Sequence, residues 1–320
     1  MNITLHLLGG SGRIGRALVD LLIDQPLACV KTIHIYCDST KVKEINAHYT
    51  GSTSIEIKAS GYSELNRISQ SGTSNTNTLS KQKHVVLNLR GINNKQQWLN
   101  QPGTSLELHT RACHSLIEAD LWMQPGTEIY HFSSLLCDLI EGSSSLDEIC
   151  EDQESYRRPY MVSRLHQEML LAANAYQHSI VTTFLRMPAV YGFRDDNQSP
   201  WVLNSLCKAK LIGGKAEPRH PERIVYLSHK DILLTWIRAL IEGSSKNKRD
   251  RTVNYLRPPM IRMSVLSLSS LVEKSPKHLT IEQAKKLQIT IEGDDNMSDT
   301  HFVEHLNSLT SAISELLLHD

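Results

Sequence analysis

A chain of 320 residues with 34 basic and 34 acidic side chains has room for one large domain or two small ones. Its balanced charge gives no reason to expect nucleic acid or an anionic membrane as a partner. The hydrophobic fraction is 40%, and no apolar run approaches the roughly 20 residues that span a bilayer, so a soluble globular protein is expected. The opening "MNITLHLLGG" lacks a basic leader. Six scattered cysteines (Cys29, Cys37, Cys113, Cys137, Cys150, Cys207) form no CxxC pair and read as reduced thiols in a cytoplasmic protein.

"NITLHLL" reads as a first strand and runs straight into "GGSGRIG". Ile14, Ala17, Leu18, Leu21 and Leu22 then recur at helical spacing until Pro26. "VKTIHIYCD" and "STSIEIKAS" follow as strands, and the polar stretch 66–82 reads as a surface loop or frayed helix end. "HVVLNLRG" is apolar enough for a buried strand. A helix over "SLELHTRACHSLIEADL" leads to the strand "TEIYHFSSL". Next comes a helix carrying Tyr160, Val162, Leu165, Met169 and Ala173, and "SIVTTFLRMPAVYG" forms a sixth strand with its exit loop. Strand and helix alternate, which predicts an α/β fold with a parallel sheet covered on both faces. The pattern loosens from about Gly192, with further helices at "KDILLTWIRALIEG" and "HFVEHLNSLTSAISELLL". Residues 1–190 are expected to form the core. Residues 191–320 are expected to form a smaller lobe, with some segments returning to the core.

Three chemical signals stand out. Gly9, Gly12 and Gly15 lie three apart between the first strand and the first helix, where a pyrophosphate can approach the backbone and meet the free N–H groups of Gly12, Arg13, Ile14 and their neighbours. Asp38 ends the second strand, where a carboxylate accepts from ribose hydroxyls and repels a 2′-phosphate. That favours NAD, with Lys41 and Lys43 leaving NADP as the alternative. In "RRPYMVSRLHQEML", Tyr160 and Arg164 are four apart and share one helical face. A free tyrosine has a pKa of about 10, and an adjacent cation stabilises its anion. Of the fifteen histidines, His301 and His305 have the best metal spacing, but no third ligand lies nearby in sequence. A solvated helix face is the reading, and no metal is expected.

The chain resembles an extended short-chain dehydrogenase/reductase, the group containing nucleotide-sugar epimerases and dehydratases. "GGSGRIG" resembles its GxxGxxG, and "VVLNLRG" its strand ending in small residues. "YHFSSL" resembles its paired serines, "PYMVSRLHQE" its Tyr-x-x-Ser-Lys-x-x-x-Glu, and "LRMPAVYG" its Leu-Arg-Pro-x-x-Val-Tyr-Gly. "ERIVYLSHKDI" resembles its later Arg-x-Phe-Val-x-Val-x-Asp-Val stretch. The resemblance implies a doubly wound, Rossmann-type parallel sheet with a C-terminal substrate-binding lobe. It also implies that Tyr160 is the general acid/base, that Ser134 (or Ser133) polarises the substrate oxygen, and that Arg164 takes the place of the nicotinamide-ribose lysine. Leu89 and Arg90 would line the cofactor channel, Pro188 would face the nicotinamide, and Arg223 would contact a substrate diphosphate. A homodimer through two long helices is implied as well.

The chain departs from this pattern at four places. Arg164 replaces lysine, keeping the charge but not the shape. Arg90 stands where a small residue is usual, and could contact the pyrophosphate or partly fill the site. Ser60 replaces an aspartate near the adenine, and "SSLLCDL" puts Cys137 and Asp138 after the serines. The expected function is an NAD-dependent enzyme acting on a hydroxyl or keto group, on this resemblance of a nucleotide sugar. The alternative is a catalytically impaired dinucleotide-binding regulatory or scaffold protein.

Overall fold

The computed structural model describes residues 2–51, 55–65, 82–91, 95–119, 126–141, 157–193, 202–215, 217–218, 220–244, 252–276, 278–293 and 299–318. Cys150 and most of the polar stretch 66–82 lie outside them. In chain order the elements are β1 (Asn2–Leu8), α1 (Arg13–Asp24), β2 (Val30–Cys37), α2 (Ser39–Tyr49), β3 (Glu56–Gly61) and β4 (Gln82–Asn88). Next come α3 (Lys95–Asn100), α4 (Pro102–Ile117), β5 (Glu128–Ser134), α5 (Leu136–Glu141) and α6 (Arg157–His178). The remainder comprises β6 (Val181–Met187), β7 (Ala189–Tyr191), α7 (Val202–Leu211), β8 (Ile224–His229), α8 (Lys230–Ser244), β9 (Val253–Leu256), β10 (Met260–Ser264), α9 (Val265–Lys274), α10 (Ile281–Lys286), β11 (Thr290–Glu292) and α11 (Asp299–Leu318).

The chain forms two compact units. The first comprises Met1–Arg186 and Ile237–Leu256, and the second Met187–Trp236 and Arg257–Asp320. The first holds a seven-stranded sheet in the order β3-β2-β1-β4-β5-β6-β9. All five of its described registers are parallel. Order runs outward from β1 in both directions, the doubly wound arrangement that the alternation of strand and helix requires. β1 is buried from Ile3 to Leu8, because helices cover both faces of a parallel sheet and leave no polar side to solvate. A cluster containing Leu8, Val86, Leu116, Ile129, Leu171 and Phe184 packs α4 and α6 onto one face.

Two buried ionic centres pin this unit. At the start of the sheet, Lys83 donates to Glu128 and to the Ser244 carbonyl (2.6 Å), while Ser244 Oγ and Tyr130 Oη donate to Glu128 (2.7 and 3.1 Å). At the end of β6, Arg186 pairs with Asp138 on α5 and with Glu168 on α6 (2.7 Å), its guanidinium over the Tyr255 ring at 4.5 Å.

The second unit contains a four-stranded sheet, β11-β10-β8-β7, with β7 parallel to β8 and the other pairings antiparallel. Its core gathers Leu203, Leu206, Leu227, Ile261, Leu268, Leu306 and Leu309. The sequence pattern offers β7 only as an exit loop and gives no sign of β10 or β11. These strands are three to five residues long and partly exposed, too short to establish a period. Among the described residues no helix is long and apolar enough to cross a membrane.

Candidate active site

The glycine turn joins β1 to α1. Gly9 has φ +79°, a left-handed conformation that suits glycine, and its N–H donates to the Tyr36 carbonyl at 3.0 Å. A Cβ on Gly15 would lie 2.5 Å from the backbone of Gly10, so only glycine lets the helix approach its own turn this closely. Gly12 is the N-cap of α1 and makes no side-chain capping bond, and the first turn, with Arg13 and Ile14, carries no acid. No capping side chain and no carboxylate therefore competes with an anion for this helix end.

Asp38 follows β2 as the N-cap of α2. Its exposed carboxylate makes no capping bond, so turn capping does not account for it. Leu89 and Arg90 leave β4 beside the same turn, and the Leu89 N–H donates to Leu8 O (2.9 Å). Arg90 stacks its guanidinium over the Tyr62 ring at 4.0 Å, while its backbone crowds Gly9. Burial pushes the Tyr62 phenol up to about 12 despite the opposing charge of Arg90. Ser60 sits half-buried on β3.

Tyr160 lies half-buried in the first turn of α6, and Arg164, one turn on, is buried. Arg164 Nε donates to Tyr160 Oη at 3.3 Å, and the guanidinium lies 5.3 Å from the ring centroid. Nη1 donates to the Phe132 carbonyl at the end of β5 (3.1 Å) and to Gln167 Oε1 (3.2 Å). Nη2 lies against Gly91, where an added Cβ would come within 2.4 Å of it. Nearby, Asn88 Nδ2 donates to His131 Nδ1 (3.1 Å). Burial, aided by the Arg164 charge, pushes His131 down to about 3 and keeps its ring neutral. Around the phenol ring stand Trp98 (5.7 Å) and His109 (6.2 Å), both edge-to-face.

Ser133 and Ser134, both buried, end β5. Ser133 Oγ contacts Cys137 Sγ at 3.6 Å, and burial raises that thiol to about 11. Ser134 Oγ accepts from the Leu136 N–H at 3.3 Å, a bond that uses a lone pair and leaves the hydroxyl hydrogen to donate. Asp138 turns to Arg186 instead of the serines. Pro188 (buried) and Arg223 (half-buried, just before β8) belong to the second unit. Residues 9–15, 38, 89–90, 133–134, 160 and 164 all belong to the first. Among the described residues, no group of three His, Cys, Asp or Glu side chains is placed to hold a metal ion.

A family model for NAD-dependent epimerases/dehydratases matches residues 5–219, about two thirds of the chain. The chain belongs to the NAD-dependent epimerase/dehydratase family, a family of enzymes. Solved structures share its fold along nearly the whole length. UDP-glucose 4-epimerase from Thermotoga maritima, solved with UDP-glucose, is 16% identical with a TM-score of 0.62, covering 98% of this chain and 99% of that one. UDP-glucuronic acid 4-epimerase from Bacillus cereus, solved with NAD, is 17% identical with a TM-score of 0.61, covering 98% and 99%. The Bordetella bronchiseptica enzyme WbmF, solved with NAD+, is 15% identical with a TM-score of 0.59, covering 99% and 96%. No curated protein matches the chain.

The fold adds residues that the family motifs do not name. Gln167 is three residues from Arg164, a spacing visible in the sequence. Phe132 O, Trp98, His109 and Tyr62 reach the site from other elements and leave no local signal.

Proposed function

We propose that this epimerase/dehydratase family member binds NAD and acts on a hydroxyl or keto group of a nucleotide sugar, with Tyr160 as general acid/base. The observation that carries this reading is the hydrogen bond from the buried Arg164 to Tyr160 Oη. A cation held there stabilises the phenolate, so the phenol can take a proton from a substrate hydroxyl and return it. Ser134 donates its hydroxyl hydrogen to the same substrate oxygen. Bound NAD supplies a hydride acceptor at the substrate carbon.

The glycine turn fits the pyrophosphate, because Gly9–Gly15 leaves the α1 N-terminus without a capping side chain or a carboxylate. Asp38 faces the adenosine ribose hydroxyls. Arg90, held on Tyr62 beside Gly9, takes the pyrophosphate side. The nucleotide-sugar substrate rests on the relatives solved with UDP-glucose and UDP-glucuronic acid, and on Arg223 as the diphosphate contact. The second unit with Pro188 serves as the substrate-binding lobe. A homodimer through α4 and α6 is supported by the exposed apolar stripe Val162, Met169 and Tyr176, at heptad spacing, and by exposed Leu106. The five described cysteines are free thiols, which supports a cytoplasmic location.

Calorimetric titration of nucleotide-stripped protein with NAD and then NADP tests the reading. NAD should bind and NADP should bind at least tenfold more weakly. Tighter NADP binding would remove the role of Asp38, and binding of neither would remove the function.

A further inference from the structure

A half-buried phenol that works as an acid/base must be kept pointing at Arg164. We infer that Trp98 and His109 form an aromatic wall that positions Tyr160. The inference rests on Tyr160 being the acid/base, but concerns residues outside the chemistry.

Three rings meet edge-to-face. Trp98 and His109 have centroids 5.1 Å apart at 76°, Trp98 and Tyr160 5.7 Å at 84°, and His109 and Tyr160 6.2 Å at 64°. This geometry sets the positive edge of one ring against the negative face of another, an attraction beyond that of burial alone. Trp98 and His109 are both buried. His109 is also fixed at both ends. Its Nδ1 is bonded to Ser163 Oγ at 2.9 Å, and its carbonyl accepts from Gln167 Nε2 at 2.9 Å. Ser163 and Gln167 flank Arg164 on α6, so the helix that carries the cation also anchors the wall. Arg164 lies over the Tyr160 ring as well as bonding to its oxygen. The phenol is thus held between a cation and two ring edges, and a turn about χ1 would break all three contacts together.

An exposed tyrosine near a helix start samples several rotamers. In this protein Trp98 and His109 hold Tyr160 in the one that meets Arg164. Misplacing a catalytic group by about 1 Å can cost roughly 100-fold in rate, so loss of the wall should lower kcat and leave KM near its value.

The test combines NMR couplings that report the Tyr160 χ1 population with turnover of UDP-glucose in the presence of NAD. Trp98→Leu and His109→Leu remove ring edges, and Trp98→Phe keeps one and controls for folding. Tyr160 should occupy one rotamer in the unsubstituted protein and in Trp98→Phe, and become averaged in the two leucine variants. With turnover, kcat should fall about tenfold or more in the leucine variants, KM should stay within twofold, and Trp98→Phe should restore kcat. A single rotamer in all variants, or averaging without loss of kcat, would overturn the inference. Should the unsubstituted protein not turn over UDP-glucose, the couplings alone decide. Retained turnover in Tyr160→Phe would instead overturn the functional reading, leaving the positioning result standing.

Discussion

Two buried arginines in the first unit, Arg164 and Arg186, are handled in opposite ways. Arg186 is neutralised by Glu168 and Asp138, carboxylates from two helices, and is covered by Tyr255. The bonds of Arg164 to Phe132 O, Gln167 Oε1 and Tyr160 Oη all end on neutral oxygens. A buried cation matched by carboxylates ties elements together and offers little to a ligand. The Arg164 guanidinium adds to burial in lowering the pKa of His131. Arg186 is a rivet between helices, and Arg164 places its charge beside a phenol.

The sharpest way to break this contrast is Arg186→Ala, which strands the buried Glu168 and the half-buried Asp138 and should cost about 3–5 kcal/mol in urea unfolding. Arg164→Lys should cost far less stability, so equal losses would erase the distinction. On activity, Tyr160→Phe should lower kcat by roughly 100-fold or more while the calorimetric affinity for NAD changes less than twofold. Gly91→Ala probes how tightly the guanidinium is seated. The added methyl collides with Nη2 and should cost about 1–3 kcal/mol beside Arg164 but little beside Arg164→Lys, a coupling that a double-mutant cycle measures.

The smallest effect lies within the sheet itself. His6, His34 and His84 stack across β1, β2 and β4, with His6 Nε2 and His84 Nδ1 3.0 Å apart. Burial lowers the pKa of all three. His84 and His34 add repulsion at His6, and Lys58 outweighs Glu56 beside His34. Above pH 6.5 the rings are neutral in both folded and unfolded chains. As pH falls through 6.5 the unfolded chain takes up protons first, so stability should drop. The slope for buried His6 is at most about 1.4 kcal/mol per pH unit, and screening makes the half-buried pair contribute less. Urea midpoints measured between pH 7.5 and 5.5 should fall, and His6→Leu should flatten the trend.

Features set by neighbours along the chain are legible in the sequence. The glycines announce a turn because φ +79° at position 9 favours glycine and the 2.5 Å approach at position 15 leaves no room for a Cβ. Strand and helix alternation announces a parallel sheet for the same local reason. The partners of Arg164 are not legible in this way. Phe132 contributes a backbone carbonyl, which any residue would supply, and Trp98 and His109 come from helices α3 and α4, separated from α6 by β5 and α5. Strands β7, β10 and β11 escape for want of length: a three-residue strand such as β7 or β11 carries one and a half alternations, indistinguishable from a loop.

The return of the chain to its first unit has a consequence for biosynthesis. β9 closes the sheet against β6 only after residues 187–236 have been laid down elsewhere, and Ser244 seals Lys83 and Glu128 at the same late stage. Until then the growing polypeptide carries β6 as an open edge and a buried ion pair without its lid. The nascent chain therefore passes through an interval in which its largest sheet is sticky and unfinished, and the ribosome's pace across residues 187–256 sets how long that interval lasts.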